Sequence, residues 1–175
     1  MLSNKKFLDA IINKAIVLSL LADAYRSIPL LTKTATVEKL YKIAIKLYKI
    51  AAKRTRFCDF RIMVNLGLTL LSYGSFLVGQ KKYNEAIKYL KDSIDASNKS
   101  LDIDNHLIDA WEHLAKAKIK LIEIYSLMGE EEMAEKERIE LVRIVQMICN
   151  MGYERCRRLC LELQNMLKKL TILRS

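Results

Sequence analysis

Apolar side chains recur at three- and four-residue steps along almost the whole chain, and one proline, Pro29, is all that interrupts backbone hydrogen bonding in 175 residues. A helix repeats every 3.6 residues and a strand every two, so this spacing predicts helices and leaves no stretch patterned for a sheet. Only five glycines are present, too few to punctuate an all-β chain. The breaks in the periodicity divide the chain into about seven helices, roughly 4–27, 36–53, 59–78, 82–98, 102–128, 130–150 and 153–170.

Local chemistry accounts for these boundaries. Pro29 disfavours continuation of the first helix, and the loop of Leu30, Leu31, Thr32 and Lys33 follows. Thr36 is placed to cap the second helix, Asp102 or Asp104 the fifth, while Gly79, Gly129 and Gly152 sit where helices stop. Glu130, Glu131 and Glu132 suit the positive end of the sixth helix dipole, and Lys168 and Lys169 the negative end of the seventh. The short turns make neighbouring helices antiparallel.

Charge is uneven. The chain carries a net +10, and residues 1–60 hold 12 Lys or Arg against 4 Asp or Glu, so the first third carries most of it. Lys39, Lys42, Lys46, Lys49 and Lys53 form one stripe along the second helix, opposite Leu40, Ile43, Ala44, Leu47 and Ile50, with Arg54, Arg56 and Arg61 beyond. Glu38 is the one acid in that helix, so neighbouring lysines repel by a few tenths of a kcal/mol per pair. The stripe reads either as a solvated outer face or as a dock for nucleic-acid phosphate or an acidic protein segment.

Catalytic, metal and cofactor sites find no constellation. His106 and His113 stand two helical turns apart, about 10 Å, too far to share an ion. Cys149, Cys156 and Cys160 would share one face if their helix ran unbroken through Gly152; without zinc spacing they read as small buried apolar residues. Together with Cys58 they are too few for a secreted disulfide framework, which points to a cytoplasmic protein, and an intracellular disulfide would be expected only in a hyperthermophile. The apolar run from Ala15 to Ala22 is too short to span a membrane.

The strongest internal signal is a repeat. Tyr41, Ala44, Tyr48 and Ala51 in the second helix match Tyr83, Ala86, Leu90 and Ser93 in the fourth, with the same three, four and three spacing. Small residues there let the partner helix approach, and aromatics fill the flanking groove. Gly74, Tyr83, Asn84, Glu85, Ala86, Ile87, Leu90 and Ser93 resemble a tetratricopeptide unit; Leu21, Ala22 and Tyr25, and then Trp111, Leu114, Ala115, Gly129 and Ala134, resemble parts of two more. Ala44, Ala86 and Ala134 are 42 and 48 residues apart, where the family has about 34, so the units are irregular.

The resemblance implies an all-α, α-α superhelix of three helix-turn-helix units, about 4–56, 57–101 and 102–150, closed by a capping helix at 151–173 that could also serve a homodimer. It further implies a groove lined by the first helices, in which a protein or peptide segment docks. Arg26, Asn65, His113, Lys116 and Lys120 are its expected polar residues. The family's carboxylate clamp is not reproduced, because the matching places read Ser19, Asp23, Leu71, Ser75, Glu112 and Lys116. The expected function is that of an interaction scaffold, without enzymatic activity, cofactor or membrane, with nucleic-acid binding through the stripe as the alternative.

Overall fold

A computed structural model describes residues 2–28, 34–152 and 154–172, which form seven helices: α1 (Leu2–Ser27), α2 (Thr34–Arg54), α3 (Phe60–Gly79), α4 (Tyr83–Ile103), α5 (Ile108–Met128), α6 (Glu131–Asn150) and α7 (Glu154–Ile172). No strand occurs among the described residues. Pro29, the loop that follows it and Tyr153 lie outside them. Consecutive helices pack as three antiparallel hairpins, α1/α2, α3/α4 and α5/α6, and α7 returns onto α6 and α5. The first helices touch in series, α1 to α3, α3 to α5 and α5 to α7. The backbones of the second helices, α2, α4 and α6, stay apart from one another, and this leaves open furrows between them.

Close approach within the middle hairpin follows from the small residues. A Cβ on Gly74 would sit 2.9 Å from the Leu90 side chain and one on Gly67 would sit 3.2 Å from Ser97 Oγ, so α4 lies where only glycine leaves room. Ser93 Oγ donates to the Gly67 carbonyl at 2.8 Å, converting that proximity into a buried hydrogen bond. Ala44, Ala86 and Ala134 are all fully buried, as their shared repeat position requires. Aromatics join the hairpins: Tyr41 meets Tyr73 at 5.3 Å between ring centroids, and Tyr73 meets Tyr89 edge-on at 4.5 Å. The Tyr41 hydroxyl donates to Asp23 of α1, and burial with that carboxylate pushes its pKa well up. α3, sandwiched among these layers, is long and apolar enough to cross a membrane, but 61% of its apolar window is buried inside the molecule.

Several boundaries and faces differ from the sequence expectation. α2 begins at Thr34, so Thr36 lies inside the helix. Asp59, expected as the first residue of the third helix, instead caps α3, accepting from Arg61 N–H; α3 does stop at Gly79, and the left-handed residue that follows is Lys81 (φ 58). Neither Asp102 nor Asp104 caps α5: α4 continues to Ile103, the Asp104 carboxylate accepts from His106 N–H, and Leu107 holds the cap position. The buried face of α2 is Val37, Tyr41, Ala44, Ile45, Tyr48, Ala51 and Ala52, because the helix packs on both α1 and α3; Ile43 and Ile50 are left at its margin.

The cysteines are corrected more sharply. Gly152 takes a left-handed conformation (φ 75), reversing the chain so that α7 folds back, and Cys149 and Cys160 form a disulfide across the turn. Cys156 alone is the buried thiol, and Cys58 is exposed. α7 spends its apolar face on this docking, with Leu159 and Leu163 buried, and turns Arg157, Arg158, Glu162 and Lys169 outward. Its outer face is mostly polar, with Leu161 exposed among these charges.

Candidate partner-docking furrow

α2 and α4 run side by side in parallel register, held apart by α3 beneath them. Three ion pairs cross between them: Lys82 to Glu38 at 2.5 Å, Lys42 to Glu85 at 3.9 Å and Lys49 to Asp92 at 3.0 Å. The partners are offset by 44, 43 and 43 positions, so the rungs follow one another along both helices. The lysine stripe is thus partly neutralised by acids of α4, which corrects the expectation that it lacks partners. Each exposed rung contributes little, about 0–1 kcal/mol. Lys82 and Lys42 beside Glu38 hold its carboxyl below the usual range.

Beneath these rungs lies a furrow made of two adjoining hollows of about 450 and 260 Å³ that share Lys49, Lys53 and Asp92. Its apolar surface comes from Ile45, Ile50, Met63, Leu66, Leu70 and Ala96. Its rim carries Lys42, Lys46, Lys49, Lys53, Lys88 and Lys99 against Asp92 and Asp95. Lys99 is taken up by Asp95 at 2.7 Å, but Lys46, Lys53 and Lys88 have no ion pair among the described residues. The register explains why: the residues 43 positions on from Lys46 and Lys53 are Tyr89 and Ala96, where no acid can complete a rung.

The end of the furrow is shaped by an unusual turn. Arg56 (φ 51) and Phe57 (φ 61) are consecutive non-glycine residues in the left-handed region, a conformation that costs roughly 1–3 kcal/mol each. Phe57 N–H donating to the Ala52 carbonyl at 2.8 Å holds it. The result places the Phe57 ring at the furrow mouth, 42% exposed, with the Lys99 ammonium 5.3 Å above it. Of the stripe residues expected from sequence, Lys42, Lys46, Lys49 and Lys53 line the furrow. Lys39, Arg54 and Arg56 do not; Arg54 instead stacks on Phe7 of α1 at 4.6 Å.

The expected groove residues sit on the first helices. Asn65 and His113 occupy equivalent positions, 48 residues apart like Ala86 and Ala134. Yet their polar groups are largely engaged: Arg26 donates to the Ser72 carbonyl at 3.2 Å, and Lys116 and Lys120 pair with Glu112 and Glu123 at 2.7 Å each. His113 is buried, its Nδ1 has no partner, and burial pushes its pKa down. None of the five lines the furrow. No group of three or more metal-ligating side chains occurs among the described residues.

A second furrow repeats the first one hairpin later, between α4 and α6 over α5, with a volume of about 340 Å³. Met63, Leu66 and Leu70 of the first correspond, at the same 48-residue offset, to Trp111, Leu114 and Lys118 of the second. Asp92, Asp95, Ala96 and Lys99 correspond to Glu140, Arg143, Ile144 and Met147. Lys118, only 6% exposed, pairs with Glu137 at 2.7 Å and with Glu140. Sequence reasoning found neither furrow: matching the repeat positions of α2 and α4, which are 42 residues apart, sets Lys42 and Lys49 against Asn84 and Lys91, one residue short of the acids Glu85 and Asp92. No protein-family model matches the chain, and no curated protein matches it.

Proposed function

We propose that the chain is a tetratricopeptide-like docking scaffold whose site is the furrow between α2 and α4, and that its ligand is a protein segment combining acidic and apolar side chains. The observation that carries this reading is the pairing of three uncompensated lysines, Lys46, Lys53 and Lys88, with an apolar floor in one channel. Anchors on the floor supply affinity, and a complementary charge on the rim steers the encounter and fixes the register. Nucleic acid fits less well, because Glu38, Glu85, Asp92 and Asp95 interleave with the lysines and would face a continuous run of phosphates. The face formed by the first helices is less suited, since Arg26, Lys116 and Lys120 already have partners there. With the Cys149–Cys160 disulfide formed, a cytoplasmic setting holds for a hyperthermophile, whose interior keeps such bonds.

Selection from a random peptide-display library tests the proposal, with counter-selection against Lys46→Glu/Lys53→Glu/Lys88→Glu. Enriched peptides should mix Asp or Glu with aliphatic or aromatic residues and bind the variant about tenfold or more weakly, a loss of roughly 1.4 kcal/mol. Enrichment indifferent to the variant would reject the furrow as the site. Tight binding of an oligothymidine that salt strips steeply would favour the nucleic-acid alternative.

A further inference from the structure

Three helices of this molecule stop in the same way, and one of the three stops carries a residue it does not need. At the ends of α2, α3 and α5 a left-handed residue, Arg56, Lys81 or Gly129, donates to the carbonyl three positions back, and the residue after it donates to the carbonyl five back. This pair of bonds satisfies the last carbonyls of a helix with a single left-handed residue. After Lys81 and Gly129 the backbone returns to ordinary angles, φ −87 at Lys82 and −88 at Glu130. After Arg56 it does not, because Phe57 keeps φ 61. Lys82 and Glu130 are polar and exposed, so the stop asks for neither a left-handed backbone nor an apolar side chain at that place. A strained residue that the local hydrogen bonding does not require is the kind found at binding sites.

The extra left-handed residue redirects the Phe57 side chain to the mouth of the hollow of about 260 Å³, over Met63, Leu66, Leu70 and Ala96. The ring stands there half solvated, beside the Lys99 ammonium that Asp95 holds. Lys53, one of the three lysines without an ion pair, lines the same hollow from α2, and Asp92 and Asp95 line it from α4. We propose that Phe57 is the clamp of the furrow, closing one apolar side chain of the docked segment against that floor. Resting on the docking function proposed above, this names the recognised element: an aliphatic or aromatic residue directly beside a carboxylate. The hollow is smaller than the roughly 300–1,000 Å³ of small-molecule pockets, so it takes one side chain and not a cofactor-sized molecule. Asp92 and Asp95 repel a carboxylate on the α4 side, which directs it to Lys53 on the α2 side.

Titration of the full chain, labelled at its methionine methyls, with N-acetyl-leucyl-aspartyl amide tests the proposal by nuclear magnetic resonance. The Met63 methyl should shift saturably, and Overhauser contacts should join the leucyl methyls of the probe to the Phe57 ring. N-acetyl-leucyl-lysyl amide should bind about tenfold or more weakly. Phe57→Asn should weaken the aspartyl probe about tenfold or more without lowering the thermal midpoint, since Asn takes the left-handed backbone more readily than Phe. Phe57→Tyr, which keeps the ring, should retain binding. A Met63 shift that survives Phe57→Asn overturns the clamp, as does a lowered midpoint with unchanged binding, which would make Phe57 part of the helix stop. Equal affinity for the two dipeptides overturns the carboxylate assignment. If Phe57→Asn unfolds, the Overhauser contacts on the unaltered chain decide. No Met63 shift with either dipeptide overturns the clamp too, while lysine-dependent enrichment of displayed peptides would leave the furrow standing as the docking site.

Discussion

The furrow over α3 and the furrow over α5 share a frame and differ in chemistry. At matching positions the first sets Leu70, Asp92, Asp95, Ala96 and Lys99 where the second sets Lys118, Glu140, Arg143, Ile144 and Met147. In the first, the floor is apolar and the charges stand on the rim, half solvated and partly unpaired. In the second, a lysine replaces the floor leucine and is consumed by Glu137 and Glu140, while Trp111, Ile144 and Met147 make the walls apolar. Charge placed on the rim stays available to a ligand, whereas charge placed on the floor is spent on holding helices together. The repeat supplies the channel, and one floor position decides which of these its charge does.

The largest expected break comes from that position. Lys118→Ala leaves the Glu137 carboxylate buried without its partner and should cost about 3–5 kcal/mol in urea-induced unfolding. Converting the site to an apolar floor with Lys118→Met/Glu137→Leu should cost less than about 1.5 kcal/mol, or stabilise, since a packed pair of that volume replaces a desolvated one. A double variant as damaged as the single one would mean that the comparison of floors is mistaken.

A smaller effect sharpens the contrast between the two hairpins. Gly74→Ala would push a methyl to 2.9 Å from the buried Leu90 side chain and should cost about 1–3 kcal/mol by thermal unfolding. The equivalent residue in the next hairpin is Ile122, fully buried, and there Ile122→Val should cost about 0.5–1.5 kcal/mol. The smallest effect concerns Asn65 and His113. The folded-state pKa of His113 lies below the ordinary value of 6.5, so stability is full above that value. As pH falls from there toward the depressed folded value, the unfolded chain binds a proton that the folded chain refuses, and stability declines. His113→Asn, which copies the residue of the preceding hairpin, should flatten this slope in urea titrations between neutral and mildly acid pH.

Helix number, hairpin pairing and the small-residue contacts were legible because each is a property of local spacing, and Gly74, Ala86 and Ser93 occupy the contacts expected of them. Cap assignments at Thr36, Asp102 and Asp104 failed because a polar residue caps only if the helix starts directly after it: α2 starts before Thr36, α4 runs through Asp102, and α5 begins only at Ile108, beyond Asp104. The lysine stripe was visible as a face, but its rungs were not, since Glu85 and Asp92 lie on another helix and become neighbours only through packing over α3. The disulfide was hidden for a related reason. A continuous helix puts Cys149 and Cys160 three turns apart, and only the reversal at Gly152 brings them together.

That reversal bears on the order in which the molecule comes apart. A stack in which each hairpin touches mainly its neighbours frays from its ends, as a zipper does, and the two ends here are not equally free to let go. Across an 11-residue separation the Cys149–Cys160 bond removes roughly 2–3 kcal/mol of freedom from the opened chain, so α7 stays tethered even when its contacts break. Loss of structure then travels from α1 inward, and the covalent tie acts as a stop at the far end, from which refolding can start again.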